Sequence, residues 1–320
     1  MPPVLVVPLD FVPTREGTVE LPDGRQLGWA EFGDPDGDPI LWFHGTPGGR
    51  RQLPPDAPGA ASARGVRIIG FDRPGTGRST PHQYRRVVEV VDDVRVLLDE
   101  LGIDRLAVAG LSGGGPFALA TCWALPDRVV AGAVLGGLAP TRGREHAGGL
   151  PQVLPPLEPF LRFVARPLGE VLSLLMRPSR PYMSPIFDLY VAVGPAADRP
   201  ALRREEVKAV LLADLAESIE GGVRAPLCDL VAFGRHWGFE LRDIEVPVVF
   251  WHGDADGIVP YHHGGLQAGL VPDGLLVTQN DGGHFSGFGL IGDVLDRVDE
   301  RWPDRPGLAR VEAGGSGDDP

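Results

Sequence analysis

Leu106 to Pro126 constrains the fold more than any other stretch. It is 21 residues without a charge, broken in its middle by Gly113-Gly114-Gly115-Pro116. A run of that length could span a bilayer. Three glycines and a proline at its centre would break a spanning helix where no water could satisfy the freed backbone. The stretch is therefore read as a buried strand, Leu106-Ala107-Val108-Ala109, turning tightly into a buried helix. Pro116 falls in that helix's first turn, where its missing N–H costs little.

Similar units recur along the chain. Short apolar or β-branched runs mark strands at Gln26–Glu31, Ile40–Phe43, Arg67–Phe71, Arg105–Ala109, Val130–Leu135, Val248–His252 and Leu275–Gln279. Arg67-Ile68-Ile69-Gly70-Phe71 and Val248-Val249-Phe250-Trp251 lack polar alternation, as expected of strands covered on both faces. Tyr84–Leu101 reads as an amphipathic helix, with Val87, Val90, Val91, Val94, Leu97 and Leu98 at helical spacing. Ile291–Arg301 is expected to form the last helix. The fold class is α/β: a mostly parallel sheet with helices on both faces.

From residue 141 to 240 the strand signals vanish, and proline-punctuated helices such as Leu157–Met176 and Arg203–Glu220 take over. This segment carries 12 basic and 12 acidic residues, so the rest of the chain bears the whole net charge of −13. It is too long for a simple loop, and it reads as a helical cap inserted in a core formed by residues 1–140 and 241–302. The glycine-rich polar tail, 303–320, is expected to be disordered.

The acidic balance disfavours nucleic acid or an anionic membrane surface as partner. Cys122 and Cys228 are too few for a disulfide framework and lack metal-ligand spacing. The apolar run Val4-Leu5-Val6-Val7 has no basic region before it and stops at Pro8, unlike a secretory signal. A cytoplasmic location is expected.

Gly110-Leu111-Ser112-Gly113-Gly114 fits G-x-S-x-G in the setting that a nucleophile elbow needs, after a strand and before a helix. The motif alone is a weak signal, and the alternative is a glycine-rich strand–helix corner around an inert serine. A serine hydroxyl needs a base to take its proton. His284, in Gly282-Gly283-His284-Phe285 after the last strand, can reach the carboxyl edge of the sheet from its loop. His44 and His252, at strand ends, are expected to brace loops. The base needs an acid to orient it, and Asp256 in Trp251-His252-Gly253-Asp254-Ala255-Asp256 is preferred, with Asp254 as the alternative. His44-Gly45-Thr46-Pro47-Gly48-Gly49 follows a strand and could supply an oxyanion hole from the N–H of Thr46 with that of Gly113. Otherwise it is a plain turn. Asp72-Arg73-Pro74-Gly75-Thr76-Gly77-Arg78-Ser79 is read as shaping the site.

These four motifs, HGTPGG, DRPGTGRS, GLSGG and WHGDADGIVP…GGHF, resemble the α/β-hydrolase superfamily in kind and order, over roughly Thr18 to Trp302. The resemblance implies an eight-stranded sheet, a helical cap after the sixth strand, and a Ser112-His284-Asp256 triad with the amides of Thr46 and Gly113 as oxyanion hole. HGTPGG is similar to the HGGPG of proline iminopeptidases. Those enzymes typically carry tryptophan two positions after the serine, where this chain has Gly114. Glu205, Glu206, Glu217 or Glu220 could still hold a substrate amine.

The reading is a serine hydrolase of a carboxylic ester or thioester, its partner a small and apolar substrate, with no cofactor or metal required. Candidate pocket residues in the cap are Phe160, Phe163, Leu172, Met176, Phe233 and Trp237, with Leu175 and Phe187, some of which would simply pack the cap onto the core. The alternatives are a proline iminopeptidase, a C–C bond hydrolase, or a ligand-binding homologue that does not turn over.

Overall fold

A computed structural model describes residues 11–147, 156, 157, 159, 160, 163, 182–220, 222, 224–300 and 302. The expected tail and most of the expected helix Leu157–Met176 lie outside them. The strands are β1 (Arg15–Glu20), β2 (Gln26–Gly33), β3 (Asp38–Phe43), β4 (Val66–Phe71), β5 (Leu106–Leu111), β6 (Val129–Leu135), β7 (Val248–Gly253) and β8 (Gly274–Gln279). They form one sheet in the order β1-β2-β4-β3-β5-β6-β7-β8. From β4 to β8 all pairings are parallel, while β2 runs antiparallel to both β1 and β4. Seven strands match the apolar runs in the sequence. β1 has no such run, because Arg-Glu-Gly-Thr-Val-Glu sits on the sheet edge and buries only Val19.

The continuous apolar runs follow from two cores, one on each face. In β3, Ile40 and Trp42 enter one core, and Leu41 and Phe43 the other. In β7, Val249 and Trp251 face the first core, and Val248 and Phe250 the second. A period of two with apolar residues on both sides yields an unbroken hydrophobic run. The helix α1 (Ala57–Ser62) packs on β2 and β4, and α3 (Gly115–Ala124) packs on β5 and β6 with α2 (Val90–Glu100) beside it. α2 starts later than its periodicity predicts. Tyr84 is held outside the helix, its hydroxyl donating to Asp93 Oδ2 at 2.5 Å.

Between β6 and β7 the described chain is helical: α4 (Met183–Val193), the single turn α5 (Arg199–Leu202), α6 (Glu205–Ser218) and α7 (Arg224–Phe233). α8 (His262–Leu270) and α9 (Ile291–Asp299) complete the fold. No helix among the described residues is long and apolar enough to cross a membrane.

α6 is pinned to the core by a buried carboxylate. Asp214 Oδ2 accepts the Gly49 N–H at 2.9 Å, and Oδ1 lies 3.3 Å from the Arg51 amide. Burial, then repulsion from Asp72, pushes its pKa up to about 7 against those two amides. A carboxyl raised in this way adds stability that is full below its unfolded pKa, near 4, and lost as pH rises through 7. The Tm of wild type relative to Asp214→Asn is therefore expected to fall steadily from pH 4 to pH 8, by the equivalent of roughly 3–4 kcal/mol at most. Thermal melts at four pH values check this, and a constant difference would show that Asp214 does not titrate in that range.

Candidate active site

The carboxyl ends of five parallel strands, β3, β4, β5, β7 and β8, converge on one edge, and the loops leaving them carry every motif. β5 ends at Leu111, and Ser112 follows at φ 51°, a left-handed conformation that costs a non-glycine residue energy. The flanking glycines are steric necessities. A Cβ at Gly110 would stand 2.7 Å from the Gly114 carbonyl oxygen, and one at Gly114 would overlap that of Phe43. This explains why no larger residue stands two positions after the serine on this backbone.

Ser112 Oγ lies 2.8 Å from His284 Nε2, and His284 Nδ1 lies 2.7 Å from Asp256 Oδ2. Asp256 Oδ1 accepts the N–H groups of Ile258 and Val259, both at 2.8 Å. Burial works to raise the Asp256 pKa, but hydrogen bonds from His252, His284 and Ile258 outweigh it and hold the carboxyl well below its usual range. Asp254, the alternative acid, is exposed. His252 Nε2 bonds the Val259 carbonyl at 2.8 Å, bracing the loop that presents Asp256. Burial, then the charge of Arg73, holds His44 well below its usual pKa, so its ring is neutral.

The loop after β3 meets the elbow directly, since a Cβ on Gly113 would stand 2.5 Å from Thr46 Oγ1. Gln52 clamps this loop. Its Oε1 accepts the Gly45 N–H at 2.6 Å, and its Nε2 donates to the Pro47 carbonyl at 2.9 Å. Arg73 holds it from below, donating to the carbonyls of His44 and Gly45 and to Thr46 Oγ1. The same guanidinium pairs with Asp229 of α7 at 2.7 Å, and Asp229 Oδ2 also accepts the Thr46 hydroxyl at 2.8 Å. Arg73 thus ties α7, the Thr46 loop and the loop after β4 together. Sequence reading gave the Asp72–Ser79 loop only a shaping role and passed over Gln52 and Asp229. No local pattern marks such cross-chain partners.

A cavity of about 420 Å³ opens onto Ser112 and His284. Its wall is mostly apolar: Leu111, Phe187, Leu211, Leu215, Ile258 and Phe285, with Tyr190. Thr46 and Gln52 add polar atoms, and no Asp, Glu, Lys or Arg lines it among the described residues.

Of the expected pocket residues, Phe187 lines the cavity and the others described do not. Phe160 and Phe163 are 62% and 84% exposed. Phe233 and Trp237 are buried at 3% and 2% in the core under α3, Phe233 against Phe117 with ring centroids 5.7 Å apart. The physical reason is that the chain has already rejoined the core by the end of α7, where Phe233 lies, and continues in it with the Val88 N–H bonding the Trp237 carbonyl at 3.0 Å. Leu172, Leu175 and Met176 lie outside the described residues. Among the described residues no group of three or more His, Cys, Asp and Glu side chains converges as a metal site requires.

The sequence profile of the alpha/beta hydrolase fold matches residues 38–289. The chain belongs to the α/β-hydrolase family. It is 33% identical over 156 residues to a proline iminopeptidase of Arabidopsis thaliana, a match spanning 45% of this chain and 39% of that protein. With a proline iminopeptidase of Neisseria gonorrhoeae it shares 32% over 166 residues, 49% and 52% of the two chains. The chain thus spans about half or less of these relatives' length. A bifunctional esterase/perhydrolase of Acinetobacter calcoaceticus is 28% identical over 274 residues, covering 82% of this chain and 90% of that one. Among solved structures, bromoperoxidase from Bacillus anthracis superposes with a TM-score of 0.67 at 19% identity, covering 89% of this chain and all of that one. At that identity the likeness shows the fold alone.

Proposed function

We propose that the chain is a serine hydrolase that cleaves carboxylic esters or thioesters of small apolar acyl or aromatic groups. The observation that carries this reading is the unbroken Ser112-His284-Asp256 hydrogen-bond chain opening into a cavity whose described wall is apolar and uncharged. His284 Nε2 takes the Ser112 proton as Oγ attacks the carbonyl carbon. The amides of Thr46 and Gly113 stabilise the oxyanion that forms. Collapse breaks the ester bond, and His284 returns the proton to the departing alkoxide or thiolate. Water then attacks the acyl-enzyme by the same route, restoring Ser112. Asp256 fixes the His284 tautomer and stabilises the imidazolium. The helices between β6 and β7 act as a cap that shapes the acyl pocket.

A second reading, proline iminopeptidase, is favoured by the identity to those relatives over part of the chain. Such a substrate brings an ammonium group, which needs an anionic partner when buried. The four cap glutamates do not supply one at the cavity. Glu217 pairs with Arg50 and Arg51, Glu206 with Arg204, and Glu205 and Glu220 are exposed. A panel of nitrophenyl esters from acetate to octanoate, matching thioesters and proline arylamides tests the choice. Ester turnover at least 100-fold faster in kcat/KM than arylamide turnover is expected, from about 3 kcal/mol for an unpaired buried ammonium. Hydrolysis of the arylamide alone would sink the ester reading.

A further inference from the structure

Asp198 ends the short segment Ala196–Asp198 that leads into α5, and it is 1% exposed. Its Oδ1 accepts the backbone N–H of Phe285 at 2.8 Å. Phe285 supplies the second amide of the 3-10 turn His284–Gly289, which has no side-chain cap from its own start. A turn's opening amides are orphan donors that need an acceptor. Here the acceptor comes from 87 residues away along the chain. Gly283 permits the approach, because a Cβ there would overlap Asp198 Oδ1. The other oxygen, Oδ2, is buried without a hydrogen-bond partner among the described residues. The attractive charge acting on this carboxylate is that of His284, and the repulsive one is Asp256.

We propose that Asp198 is a positioning residue of the active site, fixing the turn that carries His284 and adding a second negative charge beside its imidazolium. The inference rests on the reading of His284 as the base. The groups in contact with that ring are Asp256 from the loop after β7, Ser112 from the elbow and Phe285 on its own turn, while the Asp198 carboxylate of the helical segment lies close enough to feel the charge of His284. His252 stands behind Asp256 at 3.4 Å, and the Tyr190 phenol of α4 feels both carboxylates. Burial raises the Asp198 carboxyl, with the Phe285 amide opposing. When Ser112 gives up its proton, the new imidazolium gains a second anionic neighbour. Docking of the segment before α5 thereby aligns the base. Gly283 in the GGHF motif serves this contact and carries no chemistry of its own.

The test compares wild type with Asp198→Asn and Asp198→Ala in ester hydrolysis and fluorophosphonate labelling from pH 5 to 9, with Tm measured alongside. Asparagine keeps an oxygen for the Phe285 amide and removes the charge. It is expected to lower kcat about 3–10-fold, leave KM within about twofold, and move the acid limb of kcat/KM about half a pH unit or more lower. Alanine removes both acceptor and charge, with kcat expected to fall about 100-fold. A purely structural role would lower Tm, leave the acid limb in place and be fully rescued by asparagine. That outcome, or unchanged kcat in both variants, overturns the proposal. If the alanine protein does not fold, the limb shift in Asp198→Asn decides alone. Failure of wild type itself to label or to hydrolyse any ester would instead bring down the reading of the triad, before any variant is compared.

Discussion

Replacing Ser112 by alanine is expected to reduce kcat for ester hydrolysis by about 10⁴–10⁶-fold and to abolish covalent labelling by a fluorophosphonate. His284→Ala is expected to match it, because a hydroxyl without a base is a poor nucleophile. The 2.8 Å contact between Ser112 Oγ and His284 Nε2 makes the two side chains one proton-transfer unit, so the double variant should lose little beyond either single one. The fold is expected to survive. Alanine at residue 112 keeps the φ of 51° without adding a contact, and the β5-to-α3 turn is held by the packing around Gly110 and Gly114. Intact-mass measurement after labelling reads the outcome directly: one adduct on wild type and none on Ser112→Ala. Equal labelling of both would place the reactive group elsewhere. No adduct on either folded protein would favour a ligand-binding homologue that does not turn over.

Asp256→Asn is expected to cost about 10⁴-fold in kcat, while Asp254→Asn stays within about twofold of wild type. Asp256 divides its oxygens between two tasks. Oδ1 takes the Ile258 and Val259 amides, and Oδ2 takes the His284 Nδ1–H. An asparagine can satisfy the first task but then turns an NH₂ group toward His284, favouring the wrong tautomer. The same carboxyl is held well below its usual pKa. It therefore adds stability that is present above the unfolded value near 4 and lost as pH falls through its folded value. The Tm difference between wild type and Asp256→Asn should shrink on acidification below pH 4. Near-normal activity in Asp256→Asn beside a dead Asp254→Asn would reverse the assignment of the acid.

The family assignment has a bearing on substrate choice. Matches to proline iminopeptidases cover about half of this chain or less, whereas the esterase/perhydrolase match covers 82% of it. Substrate selection is expected to follow the cavity wall. That wall draws on α4 and α6, through Phe187, Tyr190, Leu211, Leu212 and Leu215. Among the described residues that wall is neutral, which suits an acyl chain and offers an ammonium group no charged partner.

Short-range physics accounts for the features that are legible along the chain. Unbroken apolar runs required strands covered on both faces, and seven strands were legible for that reason. The glycines around Ser112 were legible because a strand cannot turn into a helix in so few residues with side chains in the way. Asp256 was preferred over Asp254 in the sequence, and the tertiary structure separates them by orientation, one buried against His284 and the other exposed. β1 escaped notice because an edge strand buries too little to leave a pattern.

Which apolar side chains face the cavity is settled only when the chain folds. Burial drives Phe233 and Trp237 as strongly as Phe187 or Leu211, and hydrophobicity has no direction, so no sequence pattern says whether a ring ends against α3 or against substrate. The polar ties were equally hidden. Arg73 meets Asp229 across 156 residues, Gly49 meets Asp214 across 165, and Phe285 meets Asp198 across 87. Each pair is unremarkable locally, and its energy exists only once folding has removed water from both partners.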